Sequence, residues 1–596
     1  MEIFERNDKR THYCATLSAA NIGERVTVLG WCQRQRDLGS LIFIDLRDRT
    51  GIVQLAFDEG TDRDIFQKAF TTRSEFVPCA KGTVRARGEG AVNKNLPTGE
   101  IEIAVDEYKV LSQALTPPFP IVENSETNSE TRLTYRYLDL RRPDMQRNIL
   151  ARSEITNIAR NYFRDQGFID IETPILIKPS PEGARDYIVP SRVHPGCFYA
   201  LPQSPQLYKQ LLMVAGFDRY VQLARCFRDE DLRADRQPEF TQIDLEMSFV
   251  DVDDILGVVE GLLKKLFHEL LGEELVLPLP RYTYREVMER FGSDKPDLRY
   301  GMEITDITDL VKDCGFSVFT GAIADGGSVR GINVKGYAST LTRMEIDKLT
   351  EYARGCGAKG LAWVRYTEQG ATSSFSKFMT EEEMAAIYAR MDAEVGDVLL
   401  IMADGDTNRV LSTLGMVRVE TANRVGIEKK GFSPLWVIEF PFFEYDKELG
   451  DFVAMHHPFT APLDECLPYL ETDKASVRAK AYDLVLNGIE LASGSIRITD
   501  PALQKTIFRL LGISDEEAQE KFGFLTDAFK FGPPPHGGMA LGLDRLVMQL
   551  LGAESLRDVV AFPKVQNASE PMTACPATVP APLLKDLGIV TETDAE

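Results

Sequence analysis

The stretch Cys226-Phe-Arg-Asp-Glu-Asp-Leu-Arg-Ala-Asp-Arg-Gln-Pro-Glu-Phe240 predicts the turn of a β-hairpin, and this hairpin anchors the interpretation of the whole chain. One strand ends at Glu230, a polar loop covers residues 231–237, and a second strand runs over residues 239–249. Because residues two apart in a strand share a face, Arg228 points the same way as Glu230. The second strand presents on one face the side chains of Phe240, Gln242, Asp244 and Glu246. This pattern indicates either a binding face or a solvated sheet face.

A second hairpin is predicted in the run Ala481-Tyr-Asp-Leu-Val-Leu-Asn-Gly-Ile-Glu-Leu-Ala492. Its Asn-Gly pair is typical of a two-residue type I′ turn, which sets Val485 opposite Glu490. Asp483 then lies on the same face as Glu490, about 7–8 Å away on the diagonal. Two carboxylates on one buried face repel each other unless a cation bridges them, and Mg²⁺ carried by nucleotide phosphates suits such a pair. A pair of exposed acids on an edge hairpin is the alternative.

A third segment, Gly537-Gly-Met-Ala-Leu-Gly-Leu-Asp-Arg545, predicts a strand of small residues that enters a helix. Glycines allow a nucleotide to approach the backbone, and the start of a helix favours anions. Arg545 would add a planar fork for phosphate. The segment does not have the spacing of a P-loop, and a glycine-rich run before a helix is weak evidence on its own.

Composition describes an acidic protein of several domains. The chain has 596 residues and a formal net charge of −23, with 44% hydrophobic and 27% charged residues. A length of this order predicts roughly three to five domains. The acidic balance argues against nucleic-acid binding, although phosphates respond to local patches rather than to the total charge. No apolar run approaches a membrane span and the first ten residues lack an apolar signal core, so no membrane association is expected.

The cysteine pattern favours a reducing compartment. Nine cysteines lie between Cys14 and Cys575, and no two of them form a C-x-x-C pair. An odd number at irregular spacing is typical of reduced cysteines rather than of disulfides or a zinc site. A cytoplasmic protein without zinc is therefore expected.

The pattern along the chain predicts the order of the domains. About five short β-rich runs in the first hundred residues indicate a small barrel such as an OB-fold. Residues 113–130 have a linker composition, and residues 168–280 are predicted to be mostly strands. Glycine-rich and helical stretches over 285–425 indicate an inserted domain. In the barrel, Phe43 lies on the polar face of a strand, either as a stacking platform for a base or as an exposed side chain of no consequence.

Three segments resemble, in order, the signature motifs of class II aminoacyl-tRNA synthetases: Phe168-Ile-Asp-Ile-Glu-Thr-Pro174, Phe227-Arg-Asp-Glu230 and Gly542-Leu-Asp-Arg545. Finer matches resemble the bacterial-type aspartyl-tRNA synthetases of subclass IIb: Pro181-Glu-Gly-Ala-Arg-Asp-Tyr187, Gln203-Ser-Pro-Gln-Leu-Tyr-Lys209, Ala234-Asp-Arg-Gln-Pro-Glu-Phe240 and Met455-His-His-Pro-Phe459. The resemblance spans nearly the whole chain. Each motif alone is modest evidence, whereas the ordered set is strong.

The resemblance implies an α+β multidomain fold. Its parts would be an OB-fold β-barrel at 1–112 for the anticodon, a hinge at 113–140, an antiparallel-sheet catalytic domain at 141–284 and 426–565, an inserted α/β GAD domain at 285–425, and a C-terminal extension at 566–596. It also implies an aspartate–tRNA ligase that uses ATP with Mg²⁺ to form aspartyl-adenylate and pyrophosphate. Aspartate would then pass to the 3′-terminal adenosine of tRNA-Asp. The proline of the first motif implies a homodimer.

Roles carry over residue by residue. Arg228 would hold the α-phosphate, Phe240 and Arg545 would sandwich the adenine, and Asp483 with Glu490 would hold Mg²⁺. The catalytic set implied is Arg228, Glu490 and Arg545. The ATP-binding set adds Asp229, Glu230, Gln237, Phe240, Gly542, Leu543 and Asp544. The aspartate-binding set is Glu182, Ser204, Gln206, Lys209, Arg228, Asp244, His456 and Arg497.

In the implied aspartate pocket, the position of Arg497 conflicts with strict alternation along its strand. Lys209 and Arg497 match the positions that bind the side-chain carboxylate, and neither has an acceptor for the amide of asparagine. Strict alternation from Glu490 would put Arg497 on the opposite face of its strand, so a bulge within residues 492–495 is expected. The family usually has a glycine triplet here and a histidine after Ile498, where this chain has Ala492, Ser493 and Thr499.

The resemblance also decides between the two interpretations of Phe43, in favour of base stacking. The implied anticodon set is Arg36, Leu38, Phe43, Gln54 and Glu102. Leu38 is more typical of enzymes that charge tRNA-Asp alone, while a relaxed enzyme charging tRNA-Asn as well is the alternative.

Three other functions compete with an aspartate–tRNA ligase: an asparaginyl-tRNA synthetase, a non-catalytic RNA-binding paralogue and an adenylating enzyme without tRNA. Lys209 with Arg497 and the large insertion argue against the first, the retained motif residues argue against the second, and the intact barrel argues against the third.

Overall fold

The computed structural model describes residues 2–179, 183–231, 236–446 and 449–591. Chain contacts divide it into two compact units. The first comprises Met1–Glu154, Leu232–Gln237 and Ala553–Pro580, and the second comprises Ile155–Asp231, Pro238–Gly552 and Ala581–Glu596. Since these units join segments far apart in the chain, the domain boundaries proposed from the sequence stay predictions.

A six-stranded sheet forms a barrel in the first unit. Its strands are β1 (Arg25–Leu29), β2 (Trp31–Asp37), β3 (Ile42–Asp48), β4 (Gly51–Phe57), β5 (Val77–Ala86) and β6 (Ile101–Ser112), with helix α1 (Arg63–Thr71) after β4. The order is β1-β5-β6-β4-β3-β2, and Cys32 exchanges backbone hydrogen bonds with Glu75 and Phe76 beside β5, which closes the sheet. In β3, Ile42 and Ile44 are buried while Phe43 is half-buried on the other face, as the alternation predicted.

Three helices follow the barrel: α2 (Ser129–Thr134), α3 (Arg136–Asp139) and α4 (Pro143–Asp165). Arg136 is buried and fixes the C-terminal segment of the same unit. Its guanidinium donates to the carbonyls of Arg557 (2.6 Å), Val560 (2.9 Å) and Ala561 (2.9 Å), and it pairs with Asp139. A buried guanidinium satisfied by so many acceptors holds the two chain segments together.

The second unit begins with alternating strands and helices. They are β7 (Ile169–Asp170), β8 (Ile188–Pro190), β9 (Phe198–Ala200), α5 (Gln206–Val214), β10 (Arg219–Phe227), β11 (Glu239–Ser248), α6 (Val252–Leu266), β12 (Arg281–Thr283) and α7 (Tyr284–Phe291). The prediction of mostly strands over 168–280 is wrong for α5 and α6. Helix α6 has a capping box formed by Asp251 and Asp254, followed by apolar residues three and four apart that are buried, and these signals outweigh strand propensity.

The predicted insertion contains a five-stranded sheet of its own, ordered β13-β14-β17-β15-β16. Its elements are β13 (Thr305–Asp306), α8 (Thr308–Val311), α9 (Ser317–Ala324), β14 (Ser328–Val334), α10 (Arg343–Gly355), β15 (Ala362–Thr367), β16 (Gly370–Ser373), α11 (Glu381–Arg390), β17 (Val398–Asp404) and α12 (Thr407–Val425). Helix α12 packs on α7 through Gly292 and Gly415, where a Cβ on Gly292 would lie 2.0 Å from the carbonyl oxygen of Leu411.

The chain then returns to the larger sheet. The remaining elements are β18 (Pro434–Ile438), β19 (Phe443–Asp446), β20 (Asp451–Ala454), β21 (Ala481–Leu486), β22 (Ile489–Ile496), α13 (Pro501–Leu510), α14 (Asp515–Phe529), β23 (His536–Gly542), α15 (Leu543–Leu551) and α16 (Ala581–Asp586). The larger sheet has eight strands in the order β12-β18-β21-β22-β23-β11-β10-β7. The neighbours are antiparallel except at the two ends, where β7 and β12 are parallel to their partners.

Candidate active site

The polar face predicted for β11 continues across its neighbours. Asp244 pairs with Ala540 of β23, which pairs with Ser493 of β22, and the next row two residues along is Glu246, Gly538 and Ser495. Small residues in the middle strand leave room above the sheet. A Cβ on Gly538 would lie 1.9 Å from Glu246 Oε2, so only glycine accommodates that carboxylate.

Four charged side chains are buried together on this face. Lys209 Nζ lies 2.6 Å from Asp244 Oδ1 and 3.3 Å from Glu246 Oε2. Arg497 holds Glu246 with two bonds, Nε to Oε1 at 2.9 Å and Nη2 to Oε2 at 3.1 Å. Burial raises the pKa of Glu246, but the charges of Arg497 and Lys209 outweigh it and leave the pKa below its ordinary value. Removing one partner from such a group costs about 3–5 kcal/mol, because it leaves a buried charge uncompensated.

One carboxylate oxygen of Asp244 has no hydrogen-bond donor among the described residues. Burial raises the pKa of Asp244, although Lys209 opposes the shift. Within the described part of the chain its Oδ2 accepts no hydrogen bond, and the nearby Tyr220 hydroxyl donates to Gln222 instead (2.9 Å). A buried carboxylate oxygen without a donor is costly unless a cationic or hydrogen-bonding ligand reaches it.

Two histidines border the same pocket, and both stay neutral. His457 Nε2 lies 2.7 Å from Arg497 Nη1, which also donates to Ser495 Oγ at 2.7 Å. Burial and the charge of Arg497 lower the pKa of His456 to about 4 and the pKa of His457 well below its ordinary value. His456 packs its ring against Phe440, with centroids 5.0 Å apart. The structure therefore brings His457 to Arg497 more directly than His456, which the resemblance had singled out.

The bulge that Arg497 requires is present, one residue earlier than predicted. Val485 is opposite Glu490 as the Asn-Gly turn predicted, but Leu484 is already opposite Ala492, so Leu491 is the extra residue. This extra residue puts the side chain of Arg497 on the same face of the sheet as that of Glu490. The predicted position within 492–495 is wrong because Gly494 meets a different need: its Cβ would lie 2.3 Å from the carbonyl oxygen of Gly538.

Asp483 and Glu490 interact on this face, which is what the hairpin register required. Asp483 is 7% exposed, and burial followed by the charge of Glu490 raises its pKa well above the ordinary value. Its Oδ1 accepts no hydrogen bond from any described residue. Among those residues no group of three or more His, Cys, Asp or Glu side chains is arranged to hold a metal. The pair therefore fits a cation that brings most of its own ligands, as Mg²⁺ on ATP phosphates does.

The two motif arginines contact different strands of the sheet. The guanidinium of Arg228 lies 5.1 Å from the centroid of the Phe240 ring, and its backbone N–H donates to Pro238. Arg545 Nη1 donates to the carbonyl of Glu490 at 2.9 Å. Asp544 is buried in the first turn of α15, directly after Gly542 and Leu543, and its Oδ2 accepts from the Thr241 N–H at 3.2 Å. Through Asp544 and Arg545, the third motif is therefore bonded both to β11, which follows the second motif, and to the hairpin that carries Glu490.

The other sequence-derived residues differ in placement. Ser204 Oγ accepts from the N–H of Gln206 at 3.3 Å at the start of α5. Asp229 Oδ2 lies 3.6 Å from Nε of Arg185, which makes a salt bridge. Glu230, just after β10, is half-buried. Gln237 belongs to the first unit. Its side-chain Nε2 donates to the carbonyl of Lys564 at 3.1 Å, and its Oε1 accepts from the N–H of Lys564 at 2.7 Å. Glu182 lies outside the described residues.

The barrel carries a second polar network. Arg36 bonds Asp45 (2.8 Å) and Gln54 (3.0 Å), and Gln54 Nε2 donates to Glu102 at 2.8 Å. The Arg36 guanidinium lies 5.8 Å from the Phe43 centroid, and Leu38, in the turn after β2, is 67% exposed. Arg85, which no sequence pattern indicated, belongs to the same network: its Nε donates to Glu102 Oε1 at 2.9 Å and its Nη1 donates to Asp58 Oδ2 at 2.9 Å. Three of the predicted anticodon residues, Arg36, Gln54 and Glu102, thus form one hydrogen-bonded group, and Arg36 also contacts the ring of Phe43.

Comparison with known families identifies the scaffold. The model of class II tRNA synthetases (D, K and N) matches residues 128–566, and that of the OB-fold nucleic acid binding domain matches residues 26–111. The chain belongs to the class II tRNA synthetases. The predicted fold class, an OB-fold barrel with a class II antiparallel-sheet catalytic domain, is confirmed. No described helix of this synthetase has both the length and the apolar character needed to cross a bilayer.

Relatives of this class II synthetase match it over nearly all of its length. An aspartate–tRNA ligase from Ruminiclostridium cellulolyticum is 59% identical over 98% of both chains. An aspartate–tRNA(Asp/Asn) ligase from Lachnoclostridium phytofermentans is 56% identical over 97% of both chains. An asparaginyl-tRNA synthetase structure from Pyrococcus horikoshii has a TM-score of 0.58 at 18% identity, covering 93% of this chain and 98% of its own. That structural likeness concerns the fold alone.

Proposed function

We propose that this class II synthetase is an aspartate–tRNA ligase that works with ATP and Mg²⁺. It forms aspartyl-adenylate and pyrophosphate, then transfers aspartate to the 3′-terminal adenosine of tRNA-Asp. The observation that carries this proposal is the buried group of Lys209, Asp244, Glu246 and Arg497. It combines cationic donors with a carboxylate oxygen that lacks a donor, which complements an amino acid bearing an acidic side chain.

Two of the three charged groups of aspartate, the side-chain carboxylate and the α-ammonium, have counterparts in this pocket. The side-chain carboxylate is a stronger acceptor than Ser495 or His457 and replaces them on Arg497 Nη1, next to Lys209. The α-ammonium binds Asp244 Oδ2, with help from Ser204 and Gln206. Asparagine is rejected because its amide N–H groups would face Arg497 and Lys209, which have no acceptors. Glu246 does not contact the substrate and acts by fixing Arg497 in a single orientation.

Adenylation requires in-line attack on the α-phosphate. The aspartate α-carboxylate oxygen forms a bond to that phosphorus, and the bond to the bridging oxygen breaks, its electron pair leaving with pyrophosphate. Arg228 binds the α-phosphate oxygens as charge builds there, while Phe240 and Arg545 stack on the adenine. Asp483 and Glu490 would hold Mg²⁺, which would supply positive charge to offset that of the phosphates.

The direct test is aminoacylation by the purified protein with aspartate, ATP and separate tRNA-Asp and tRNA-Asn transcripts. We expect charging of tRNA-Asp and aspartate-dependent exchange of pyrophosphate into ATP. Failure of both reactions would refute the proposal and leave an RNA-binding paralogue.

Leu38 favours an enzyme that charges tRNA-Asp alone, so tRNA-Asn is expected to stay uncharged. The name of the Lachnoclostridium phytofermentans relative supports the second candidate, an enzyme that charges both tRNAs, and charging of tRNA-Asn would establish it.

Substitution of Phe43 tests tRNA binding by the barrel without changing the catalytic sheet. Phe43→Ala is expected to lower kcat/KM for tRNA by about 10- to 100-fold, since stacking of one base on an aromatic ring contributes about 1–3 kcal/mol. Pyrophosphate exchange should be unchanged, because it does not use tRNA. Phe70→Ala is the control, a 42% exposed phenylalanine on helix α1 of the same domain. Equal loss in both variants would argue against stacking at Phe43.

A homodimer is part of the proposal. Residues in the first motif, directly after it and in β9 expose apolar side chains that a monomer would leave in water: Ile169 (46%), Ile175 (48%), Leu176 (52%) and Phe198 (42%). Clusters of this kind mark protein interaction sites. The proline of the first motif, Pro174, lies among them. Light scattering on the purified protein is expected to give twice the chain mass.

A further inference from the structure

A buried histidine lies in the row of residues next to the aspartate pocket. The register of β23 with β11 sets Gly538 opposite Glu246 and His536 opposite Ser248. Because residues two apart in a strand share a face, His536 is on the same face of the sheet as the pocket carboxylates. Its side chain is 0% exposed. A polar ring is therefore enclosed in the row that follows Glu246.

The ring of His536 has a polar neighbour at each nitrogen. Nδ1 donates to the carbonyl oxygen of Pro534 at 2.8 Å, and Nε2 lies 3.3 Å from Oε1 of Gln210. Gln210 is on helix α5 and is fully buried. Since an amide can present either its oxygen or its NH₂ group, Gln210 can bond Nε2 in either protonation state of the ring. The side chain of His536 thus joins the start of β23 to α5.

Helix α5 carries two of the groups assigned to aspartate. Lys209 directly precedes Gln210, and its ammonium pairs with both Asp244 and Glu246. Gln210 Nε2 donates to the carbonyl of Gln206 at 3.2 Å. The side-chain Nε2 of Gln206 is buried without an acceptor among the described residues, which suits a donor whose acceptor is on the ligand. A bond to Gln210 therefore acts on the part of α5 that faces the substrate.

The backbone of the same histidine holds the cation on the other side of the pocket. The N–H of Arg497 donates to the carbonyl oxygen of His536 at 3.0 Å. Arg497 directly follows β22, whose last residue, Ile496, is paired with Gly537. His536 thus contacts Arg497 through its main chain and α5 through its side chain.

We propose that His536 is a positioning residue for aspartate, which sets the separation between helix α5 and the strand that leads to Arg497. The inference rests on the proposed function and adds a residue to it. The side-chain carboxylate of the substrate needs the ammonium of Lys209 and the guanidinium of Arg497 at one place, and small displacements weaken such bonds. An apolar side chain could fill the same volume, but only a polar one fixes a single arrangement of α5 on the sheet.

Two amide substitutions separate the two contacts of the ring. The amide of glutamine reaches the place of Nε2, whereas the shorter amide of asparagine reaches the place of Nδ1. In pyrophosphate exchange, His536→Asn is expected to raise KM for aspartate about tenfold or more and to leave KM for ATP within about twofold of the wild type. His536→Gln should restore KM for aspartate to within about threefold. A residue that only supports the fold would lower the active fraction, and with it kcat, without changing KM.

Gln210→Met tests the same contact from the helix, because methionine keeps the length of the side chain and removes the amide. It should raise KM for aspartate as His536→Asn does, and it decides the matter if His536→Asn does not fold. Thr413→Val is the matched control. Thr413 is fully buried on helix α12 of the insertion, and its hydroxyl donates to the carbonyl of Cys356 at 3.3 Å. Loss of that buried bond should leave both KM values unchanged.

The outcomes distinguish the inference from the proposed function. A folded, active His536→Asn with the wild-type KM for aspartate would overturn the inference alone. Equal rises in KM for aspartate and for ATP, or equal KM values for aspartate in His536→Asn and His536→Gln, would overturn it as well. Absence of aspartate-dependent exchange in the wild-type protein would overturn the proposed function, and the inference with it.

Discussion

Arg497→Lys is expected to lower kcat/KM for aspartate in pyrophosphate exchange by about 100-fold or more, although it keeps the positive charge. Arg497 makes two bonds to Glu246 and donates to Ser495 and His457. An ammonium cannot reproduce the planar fork, so it would lose either the hold on Glu246 or the contact with the substrate carboxylate. Each charge-assisted bond lost contributes about 1.5–3 kcal/mol, which sets the expected scale.

The measurement needs a control for folding. Arg509→Lys changes an arginine that is 61% exposed and paired with Glu471 at 2.8 Å, and it should retain full activity. Thermal unfolding of Arg497→Lys should be cooperative, with a lower Tm. Glu246→Gln should also raise KM for aspartate, because it releases Arg497 from its fixed orientation. Near-normal KM values in both variants would mean that aspartate binds elsewhere.

The local geometry of this site was predictable from the sequence. The face that carries Phe240, Gln242 and Asp244 follows from strict alternation in one strand. The pairing of Val485 with Glu490 follows from the Asn-Gly turn, and the structure has that register. Both patterns depend on neighbours within a few residues, so short stretches of sequence carry enough information to determine them.

The contacts that complete the site were not predictable in this way. Glu246 and Arg497 are 251 residues apart in the chain, and His457 reaches Arg497 from a separate loop. Alternation placed Glu246 on the right face but gave no reason to assign it a role. The missing information was burial: once Glu246 is known to be fully enclosed, its charge requires a cationic partner.

The bulge and the helix α6 illustrate the two other kinds of error. Glycine within a strand was taken to mark the bulge, whereas Gly494 is needed for close approach to the neighbouring strand and the bulge falls at Leu491. For α6, the capping residues and helical spacing are present in the sequence, but the prediction of mostly strands over 168–280 did not use them. The glycine signal has two physical causes that only the tertiary structure separates, whereas helix α6 was predictable from its own sequence.

Arg228→Ala is expected to lower the rate of aspartyl-adenylate formation by about 100- to 1,000-fold, with a much smaller change in KM for ATP. Arg228 follows β10 and lies against the Phe240 ring, on the face that carries Asp244. A preorganised donor at the atom where charge develops acts mainly on the transition state, and loss of one such donor usually costs that factor. Single-turnover adenylate formation measures the chemical step apart from product release.

The control for this variant is three residues earlier, on strand β10. Arg225 pairs with Glu239 at 2.6 Å and donates to Thr241 at 3.3 Å, on the face opposite Asp244. Arg225→Ala should keep the adenylation rate within about twofold, since removing a partly exposed ion pair costs about 0–1 kcal/mol. A similar loss in the two variants would mean that the hairpin acts through its fold. A large rise in KM with normal kcat in Arg228→Ala would mean that Arg228 binds ATP equally well before and during the reaction, which would remove it from the catalytic set.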